Sequence, residues 1–244
     1  MASFAVPRYS GPAQSVVVSD FDGTLTSYDL GTMVLEQFGA PGWEHFDELF
    51  EAGKITLGDC LREQTALIRA SSPAEILRYL LPFSEFRPGM KPLLDECRRG
   101  GSKFVVASAG IDFCIRQVFR REGLSIPPLC CPVTKSTAQG FRIKMPRTAS
   151  LGDGASVRFS SGENFKKSLV AAHQARGRSV TFLGDGAADI APASVADKVF
   201  AIDRSPLAIA CVQRGIPCTR IRSLDPVASF MRGQSLRYWT HADQ

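Results

Sequence analysis

Two carboxylates stand two residues apart in the segment DFDGTLT, which spans residues 20–26. Three valines and Ser19 precede the segment, so Asp20 and Asp22 would both project from the end of a strand toward the same side of the chain. Gly23 lets the chain turn away sharply after them. Carboxylates placed in this way can attack an electrophile or transfer a proton. Because Asp and Gly are also common at ordinary strand ends, the motif alone does not decide between chemistry and structure.

A second acidic motif, GDGAAD, spans residues 184–189 and follows the apolar segment SVTFL. Its carboxylates, Asp185 and Asp189, stand beside glycines at a predicted strand end, and this arrangement suits a hard cation such as Mg²⁺. A similar segment, GDGA at residues 152–155, follows no strand and has Val157 where a second acid would be needed. We therefore expect the first segment, and not the second, to contribute to a metal site.

A hydroxyl group and a pair of lysines complete the candidate chemistry. Ser108, Ala109 and Gly110 directly follow the apolar segment KFVVA. A serine hydroxyl and exposed N–H groups at a helix start can bind phosphate oxygens, although serine is also an ordinary helix N-cap. Lys166 and Lys167 stand early in a predicted helix. Without the other motifs, the simplest interpretation of this pair would be two lysines on the solvent-exposed face of the helix.

Four apolar, β-branched segments predict the strands that position these motifs. They are residues 16–18, 103–107, 179–183 and 198–202. Helical patterns that each end near a glycine lie at residues 111–121, 163–176 and 206–214. Strands that alternate with helices predict an α/β fold with a doubly wound, mostly parallel, Rossmann-like sheet. Right-handed crossovers would place the loops that follow the strands along one edge of this sheet.

The chain between the first two predicted strands is much longer than a single crossover helix requires. Four helical patterns fill most of it, and a fifth returns the chain to the sheet. These patterns lie at residues 30–38, 44–51, 57–69, 73–80 and 88–98. We interpret residues 29–86 as an inserted helical cap, and residues 1–28 and 87–244 as the α/β catalytic core. Two segments of alternating character, residues 141–145 and 156–159, predict a small β-hairpin flap.

The composition is that of an ordinary globular protein, with 44% hydrophobic and 22% charged residues. A net charge of +5 suits anionic ligands, but the sequence has no dense basic block with aromatic residues that would predict nucleic-acid binding. No segment is long and apolar enough to span a membrane, and residues 1–15 lack the apolar centre of a signal peptide. The seven cysteines include no CxxC pair, which favours reduced thiols in the cytoplasm over a zinc site or disulfides. We expect a monomer or a homodimer.

The four motifs together resemble those of the haloacid dehalogenase superfamily, specifically its phosphatases. The resemblance runs from residue 16 to about residue 221, with each motif at its expected strand end. The joint pattern is specific, whereas any one of the motifs is not. The position of the cap and the segments SAGIDF and FKKSL are most similar to the branch that contains phosphoserine phosphatase and the methionine-salvage phosphatase of a methylthio-diketopentane phosphate. The resemblance implies a small phosphorylated metabolite as the substrate.

The resemblance also implies a role for each acidic residue. Asp20 would be the nucleophile that attacks phosphorus and forms an aspartyl-phosphate. Asp22 would be the general acid and later the general base. Mg²⁺ would be held by Asp20, by the backbone carbonyl of Asp22 and by Asp185. Asp189 would be a further ligand or would support the ligands.

The residues that would bind the phosphate or the rest of the substrate are Thr24, Ser108, Ala109, Gly110, Lys166 and Arg62. Lys166 is preferred to Lys167 because its spacing to Asp185 matches that of the methionine-salvage relative. Arg62 falls where the phosphoserine enzymes keep a carboxylate-binding arginine, and a solvated helix charge is an equal alternative. Asp29 lies nearest to the place of their amino-binding glutamate. The Cys-rich insertion of the methionine-salvage enzyme is absent, so the substrate of neither relative can be transferred.

Two alternatives remain open. A phosphotransferase or phosphomutase would use the same Asp20 intermediate but pass the phosphate to a sugar hydroxyl. A non-catalytic module could bind phosphate or diphosphate ligands, although the intact set of Asp20, Asp22, Lys166 and Asp185 argues against it. A dehalogenase is disfavoured because that chemistry does without an acid or base at the position of Asp22.

Overall fold

The protein is described here as a computed structural model over residues 15–233. Residues 1–14 and 234–244 lie outside this range. Within it the strands are β1 (Ser15–Ser19), β2 (Lys103–Ala107), β3 (Leu129–Cys130), β4 (Val133–Thr137), β5 (Gly140–Lys144), β6 (Thr148–Ser150), β7 (Ser156–Arg158), β8 (Ser179–Gly184), β9 (Lys198–Ile202) and β10 (Thr219–Ile221). The α-helices are α1 (Leu30–Phe38), α2 (Glu44–Glu51), α3 (Leu57–Leu67), α4 (Pro73–Leu80), α5 (Met90–Arg99), α6 (Asp112–Arg121), α7 (Phe165–Gln174), α8 (Ile190–Ala193), α9 (Pro206–Arg214) and α10 (Asp225–Met231).

Six parallel strands form the central sheet in the order β10-β9-β8-β1-β2-β3. Strand β1 lies between β2 and β8, and Ser19 at its end pairs with Val106 on one side and Leu183 on the other. The carboxyl ends of these three strands therefore meet at one edge of the sheet. The predicted doubly wound, mostly parallel fold is confirmed, and this edge is where such sheets place their ligands.

The three valines of β1 are packed from both sides of the sheet. Val17 belongs to one apolar cluster, whereas Val16 and Val18 belong to the other, and none of the three has exposed surface. Helices α5, α6 and α10 contribute to the first cluster, and α7, α8 and α9 to the second. Full burial of each valine contributes about 1.5–3 kcal/mol. The continuous apolar run in the sequence is thus the consequence of two covered faces.

Helices α1 to α4 occupy the long segment between β1 and α5. Three of them have the predicted bounds, but α3 ends at Leu67, two residues earlier than predicted. Ile68 is extended, with ψ of 125°, and forms an isolated bridge with Gly39. Helix α5 begins at Met90 because Gly89, with φ of 94°, has a left-handed conformation that a helix cannot include. The cap boundaries, residues 29–86, stay a prediction.

The two segments predicted as a flap do not pair with each other. Strand β5 pairs with β4, and β7 pairs with β6, so the structure has two small antiparallel hairpins. Strand β5 packs against α3, and its Ile143 contributes to the cavity described below. The β4–β5 hairpin is therefore the one that lies beside the predicted cap.

The GDGA segment at residues 152–155 has a structural role. It forms the turn between β6 and β7, where Asp153 pairs with Arg178 and, at 3.7 Å, with Arg176. Arg178 also contacts Nδ1 of His173 at 3.0 Å and so ties this turn to α7. The expectation that this segment stays outside the metal site agrees with this placement. No helix in the described part of the chain is long and apolar enough to cross a membrane.

Candidate active site

Asp20 and Asp22 lie directly beyond the end of β1, at the floor of a cavity of about 350 Å³. The N–H of Asp20 donates to the carbonyl of Leu183, which extends the pairing with β8 by one residue. Gly23 follows with φ of 69°, and a side chain there would collide with the Asp185 carboxylate. A glycine is therefore required for both the turn and the close approach of the two loops.

Lys166, in the first turn of α7, is buried and lies between two carboxylates. Its Nζ is 3.0 Å from Oδ1 of Asp20 and 2.7 Å from Oδ1 of Asp189. Its neighbour Lys167 is exposed. Of the two predicted lysines, the structure thus places Lys166 beside the candidate nucleophile.

Asp189 organises the loop after β8. Its Oδ2 accepts hydrogen bonds from the N–H groups of Asp185 and Gly186, at 3.0 and 3.1 Å, while its Oδ1 accepts from Lys166. Asp189 has no exposed surface, and both of its oxygens are engaged. It is therefore suited to hold the neighbouring ligands in place.

The hydroxyl of Thr24 points to a protein partner. Thr24 is buried and its Oγ1 donates to Oδ1 of Asp185 at 2.6 Å. It does not belong to the described residues that line the cavity. Thr24 therefore orients the Asp185 carboxylate in this structure. This role differs from the predicted contact with substrate.

Ser108, Ala109 and Gly110 follow β2 and line the cavity beside Asp22. The Ser108 hydroxyl donates to Oδ2 of Asp22 at 3.3 Å and accepts from the N–H of Gly110 at 2.9 Å. A side chain at position 110 would collide with the Asp22 carboxylate. This loop therefore lies close enough to Asp22 to share a ligand with it.

The two cap residues considered in the sequence have different positions. Arg62 lies on the exposed side of α3, where it donates to Asp59 at 2.6 Å, and it is not among the described residues that line the cavity. Asp29 does line the cavity and caps α1 by accepting from the N–H of Thr32 at 2.8 Å.

Arg87 is a positioning residue that the sequence analysis missed. Its guanidinium donates to the carbonyls of Gly23, Thr24 and Thr26 at 2.6, 2.9 and 3.4 Å. It also donates to the carbonyl of Arg222 at 3.2 Å. A single arginine before a proline gives no pattern from which these contacts could be predicted.

The carboxylates of the site have raised pKa values. Burial raises the pKa of Asp20 well above its usual value, with Asp189 adding to the rise and Lys166 opposing it. Burial, reinforced by nearby carboxylates, raises the pKa of Asp22 to about 8 and that of Asp185 to about 7. Burial alone would lower the pKa of Lys166, but Asp189 and Asp20 outweigh it and raise that pKa. The site thus has an excess of negative charge that a bound cation would relieve.

The donor set fits a hard divalent cation. Carboxylate oxygens of Asp20, Asp185 and Asp189 lie within 4.8 Å of one another. Oδ1 of Asp20 is buried and forms an ion pair with the amine of Lys166 at 3.0 Å. Several buried carboxylates that share a single cationic partner are a typical ligand set for a hard divalent cation.

Comparisons with known proteins agree with this geometry. Among proteins of known function, the 2-hydroxy-3-keto-5-methylthiopentenyl-1-phosphate phosphatase of Brevibacillus brevis is 25% identical over 188 residues, which is 76% of this chain and 82% of that protein. The enzyme of the same name from Geobacillus kaustophilus is 28% identical over 207 residues, which is 84% of this chain and 89% of that protein.

Solved structures show the same fold. A substrate-bound phosphoserine phosphatase has a TM-score of 0.65 at 15% identity, and the match covers 89% of this chain and 98% of that one. A phospho-aspartyl intermediate analogue of phosphoserine phosphatase has a TM-score of 0.66 at 17% identity, covering 89% and 99%. A family model for haloacid dehalogenase-like hydrolases matches residues 17–194, which is most of the chain and contains all four motifs. The chain therefore belongs to the haloacid dehalogenase-like hydrolase family.

Proposed function

We propose that this protein is a Mg²⁺-dependent phosphatase that hydrolyses a small phosphate monoester through an aspartyl-phosphate on Asp20. One observation carries the proposal: the buried carboxylate of Asp20 forms an ion pair of 3.0 Å with Lys166 and lines a cavity beside Asp22. The names of the relatives, which are phosphatases of a phosphorylated ketone, support the same reaction class.

In the first step, an Asp20 oxygen attacks phosphorus and the bond from phosphorus to the alcohol oxygen breaks. The leaving alkoxide takes a proton from Asp22, whose pKa of about 8 means that it holds this proton at neutral pH. Lys166 favours the ionised form of Asp20 that is needed for the attack. The products of this step are the free alcohol and a phosphorylated Asp20.

In the second step, Asp22 acts as a carboxylate and takes a proton from a water molecule. The hydroxide attacks phosphorus, the bond to Asp20 breaks, and inorganic phosphate leaves. Ser108, Ala109 and Gly110 line the same cavity and would hold the phosphate oxygens in both steps. Asp22 begins and ends the cycle with its proton, so no other proton carrier is needed.

Asp20, Asp185 and the backbone carbonyl of Asp22 would hold Mg²⁺, with Asp189 fixing the loop that carries Asp185. When bound, the ion would supply positive charge that reduces the repulsion between the Asp20 carboxylate and the anionic phosphate. We further propose that residues 29–86 act as a cap that excludes bulk water, and that the enzyme works in the cytoplasm. All seven of its cysteines are free thiols, in keeping with that compartment.

Release of phosphate from p-nitrophenyl phosphate tests the proposal. We expect Mg²⁺-dependent, steady turnover that Asp20→Asn abolishes while circular dichroism shows a folded protein. Asp153→Asn is a matched control, since Asp153 belongs to the turn between β6 and β7, and it should keep full activity. Full activity in Asp20→Asn would contradict the assignment of the nucleophile. If nitrophenol appeared while the phosphate moved to an added sugar, the phosphomutase alternative would be favoured.

A further inference from the structure

The cap side of the cavity is acidic. Of the described residues that line it, the cap contributes the carboxylates Asp29, Asp47 and Glu51, and neither a lysine nor an arginine. Lys166 is the one cation in the described lining, and its charge is already shared between Asp20 and Asp189. Any group of the substrate that extends beyond the phosphate therefore meets carboxylates without a compensating cation.

Asp47 is held in place at this wall. It is half-buried on α2, and its Oδ1 accepts from the thiol of Cys60 at 3.6 Å. Gln64 is buried and donates to the carbonyl of Trp43 at 3.3 Å. A side chain of α3 thus contacts the carboxylate of Asp47, whereas Glu51, one turn further along α2, is exposed.

The rest of the described cap wall offers no cationic partner to an anion, since its polar side chains, Thr32, Gln64 and Thr65, are neutral. Leu35, Phe50 and Ile68 are apolar lining residues. Arg62, the one cap arginine considered for this role, is paired with Asp59 on the outer side of α3. A substrate carboxylate here would lose its water, find no cation and approach Asp47.

We propose that the cavity selects phosphate monoesters whose alcohol half carries no anionic group, and that Asp47 is a specificity-determining residue. The inference rests on the proposed phosphatase function and adds the substrate class. We expect phosphorylated carboxylic acids and bisphosphates to be poor substrates, and phosphate esters of neutral alcohols and of amino alcohols to be accepted.

Competition against p-nitrophenyl phosphate tests the inference with three small esters of nearly equal size. These are propyl phosphate, 2-aminoethyl phosphate and 2-phosphoglycolate, whose alcohol halves are neutral, cationic and anionic. We expect the inhibition constant of 2-phosphoglycolate to exceed that of propyl phosphate by about tenfold, as for an unfavourable charge pair in a partly buried site. The constant of 2-aminoethyl phosphate should equal or fall below that of propyl phosphate.

Two variants locate the effect. Asp47→Asn should reduce the ratio of the two inhibition constants, 2-phosphoglycolate over propyl phosphate, by about threefold or more. Glu48→Gln is the matched control, because its side chain is 77% exposed and lies outside the described lining, and it should leave the ratio unchanged. Equal competition by all three esters, or equal failure to compete, would overturn charge selection. An unchanged ratio in Asp47→Asn would overturn the role of Asp47, whereas absent turnover of p-nitrophenyl phosphate would instead refute the proposed function.

Discussion

The carboxylate of Glu163, in the predicted core, accepts a hydrogen bond of 2.7 Å from the backbone N–H of Gly58, in helix α3 of the predicted cap. The N–H groups at the start of a helix have no partner within the helix, and an anion there is favourable. Leu57 and Leu61 of the same helix pack against the apolar cluster that contains Phe165. These contacts join α3 to the segment that leads into α7. Glu163 stands three residues before Lys166 in that segment.

Gly58→Ala should weaken this connection. A Cβ at position 58 would lie 2.5 Å from the Glu163 carboxylate, so that carboxylate must move. Alanine is favoured over glycine in helices by roughly 1 kcal/mol, so the variant should still fold. We expect kcat/KM to fall by about tenfold, which corresponds to about 1.4 kcal/mol.

Glu163→Ala should have a similar effect, and the double variant should be no worse than either single one, because both remove the same contact. Glu163→Gln keeps an acceptor and should recover part of the activity. Strictly additive losses in the double variant would mean that the two residues act separately.

Asp22→Asn should slow both chemical steps, because the variant can neither give a proton to the alcohol nor take one from water. We expect kcat to fall by about 10²–10⁴-fold. With p-nitrophenyl phosphate, whose leaving group needs little protonation, the phosphorylated enzyme should accumulate. Rapid quenching and measurement of acid-stable, hydroxylamine-labile phosphate would detect it. Absence of this species under turnover would count against Asp22 as the base.

The stability of metal-free protein should fall as the pH rises from 6.5 to 8.5. Burial raises the pKa of Asp22 to about 8 and that of Asp185 to about 7, so the folded state holds protons that the unfolded state has lost above pH 4. When the folded state binds more protons, unfolding becomes easier with rising pH. Thermal unfolding at both pH values, in the presence of a chelator, measures this slope.

Two comparisons separate this effect from other titrations. Asp22→Asn should flatten the dependence on pH, since it removes one of the titrating carboxyl groups. Mg²⁺ should raise Tm more at pH 8.5 than at pH 6.5, because it competes with protons for the same oxygens. A slope of opposite sign, or one unchanged in Asp22→Asn, would contradict the raised pKa values.

Arg87→Lys should lower kcat more than it raises KM. Arg87 donates to three carbonyls of the loop after β1, and a lysine cannot reproduce this forked set of donors. Misplacement of Asp22 should then cost about tenfold or more in kcat. Arg98→Lys, at an exposed pair with Asp95, is the control and should have no effect on kinetics.

The sequence predicted those parts of the site in which a functional residue comes directly after a recognisable strand. Asp20, Ser108 and Asp185 each follow a strand whose apolar run is visible in the sequence, and parallel strands bring their ends to one edge. The bounds of α1, α2 and α4 were predicted correctly because their apolar spacing and flanking turn residues agree.

Contacts between distant segments were not predictable. Nothing in the sequence shows that Thr24 turns to Asp185 or that Arg62 turns to Asp59, since a side-chain direction depends on packing. The pairing partners of β5 and β7 were missed because β4 is mostly exposed and β6 has three residues, so neither shows a clear alternating pattern in the sequence. Arg87 makes its contacts across more than sixty positions of chain, which no motif records.

Strand β1 is paired on both edges and covered on both faces, whereas α2 has no buried residue. In native-state hydrogen exchange, such a strand is expected to open only with the whole molecule, and a helix like α2 with a small local fluctuation. Asp20, the proposed nucleophile, thus follows a strand that we expect to be among the last to open, and Asp47 lies on a helix that we expect to be among the first. Substitutions in α2 can therefore change substrate preference at little cost to the geometry of the reaction.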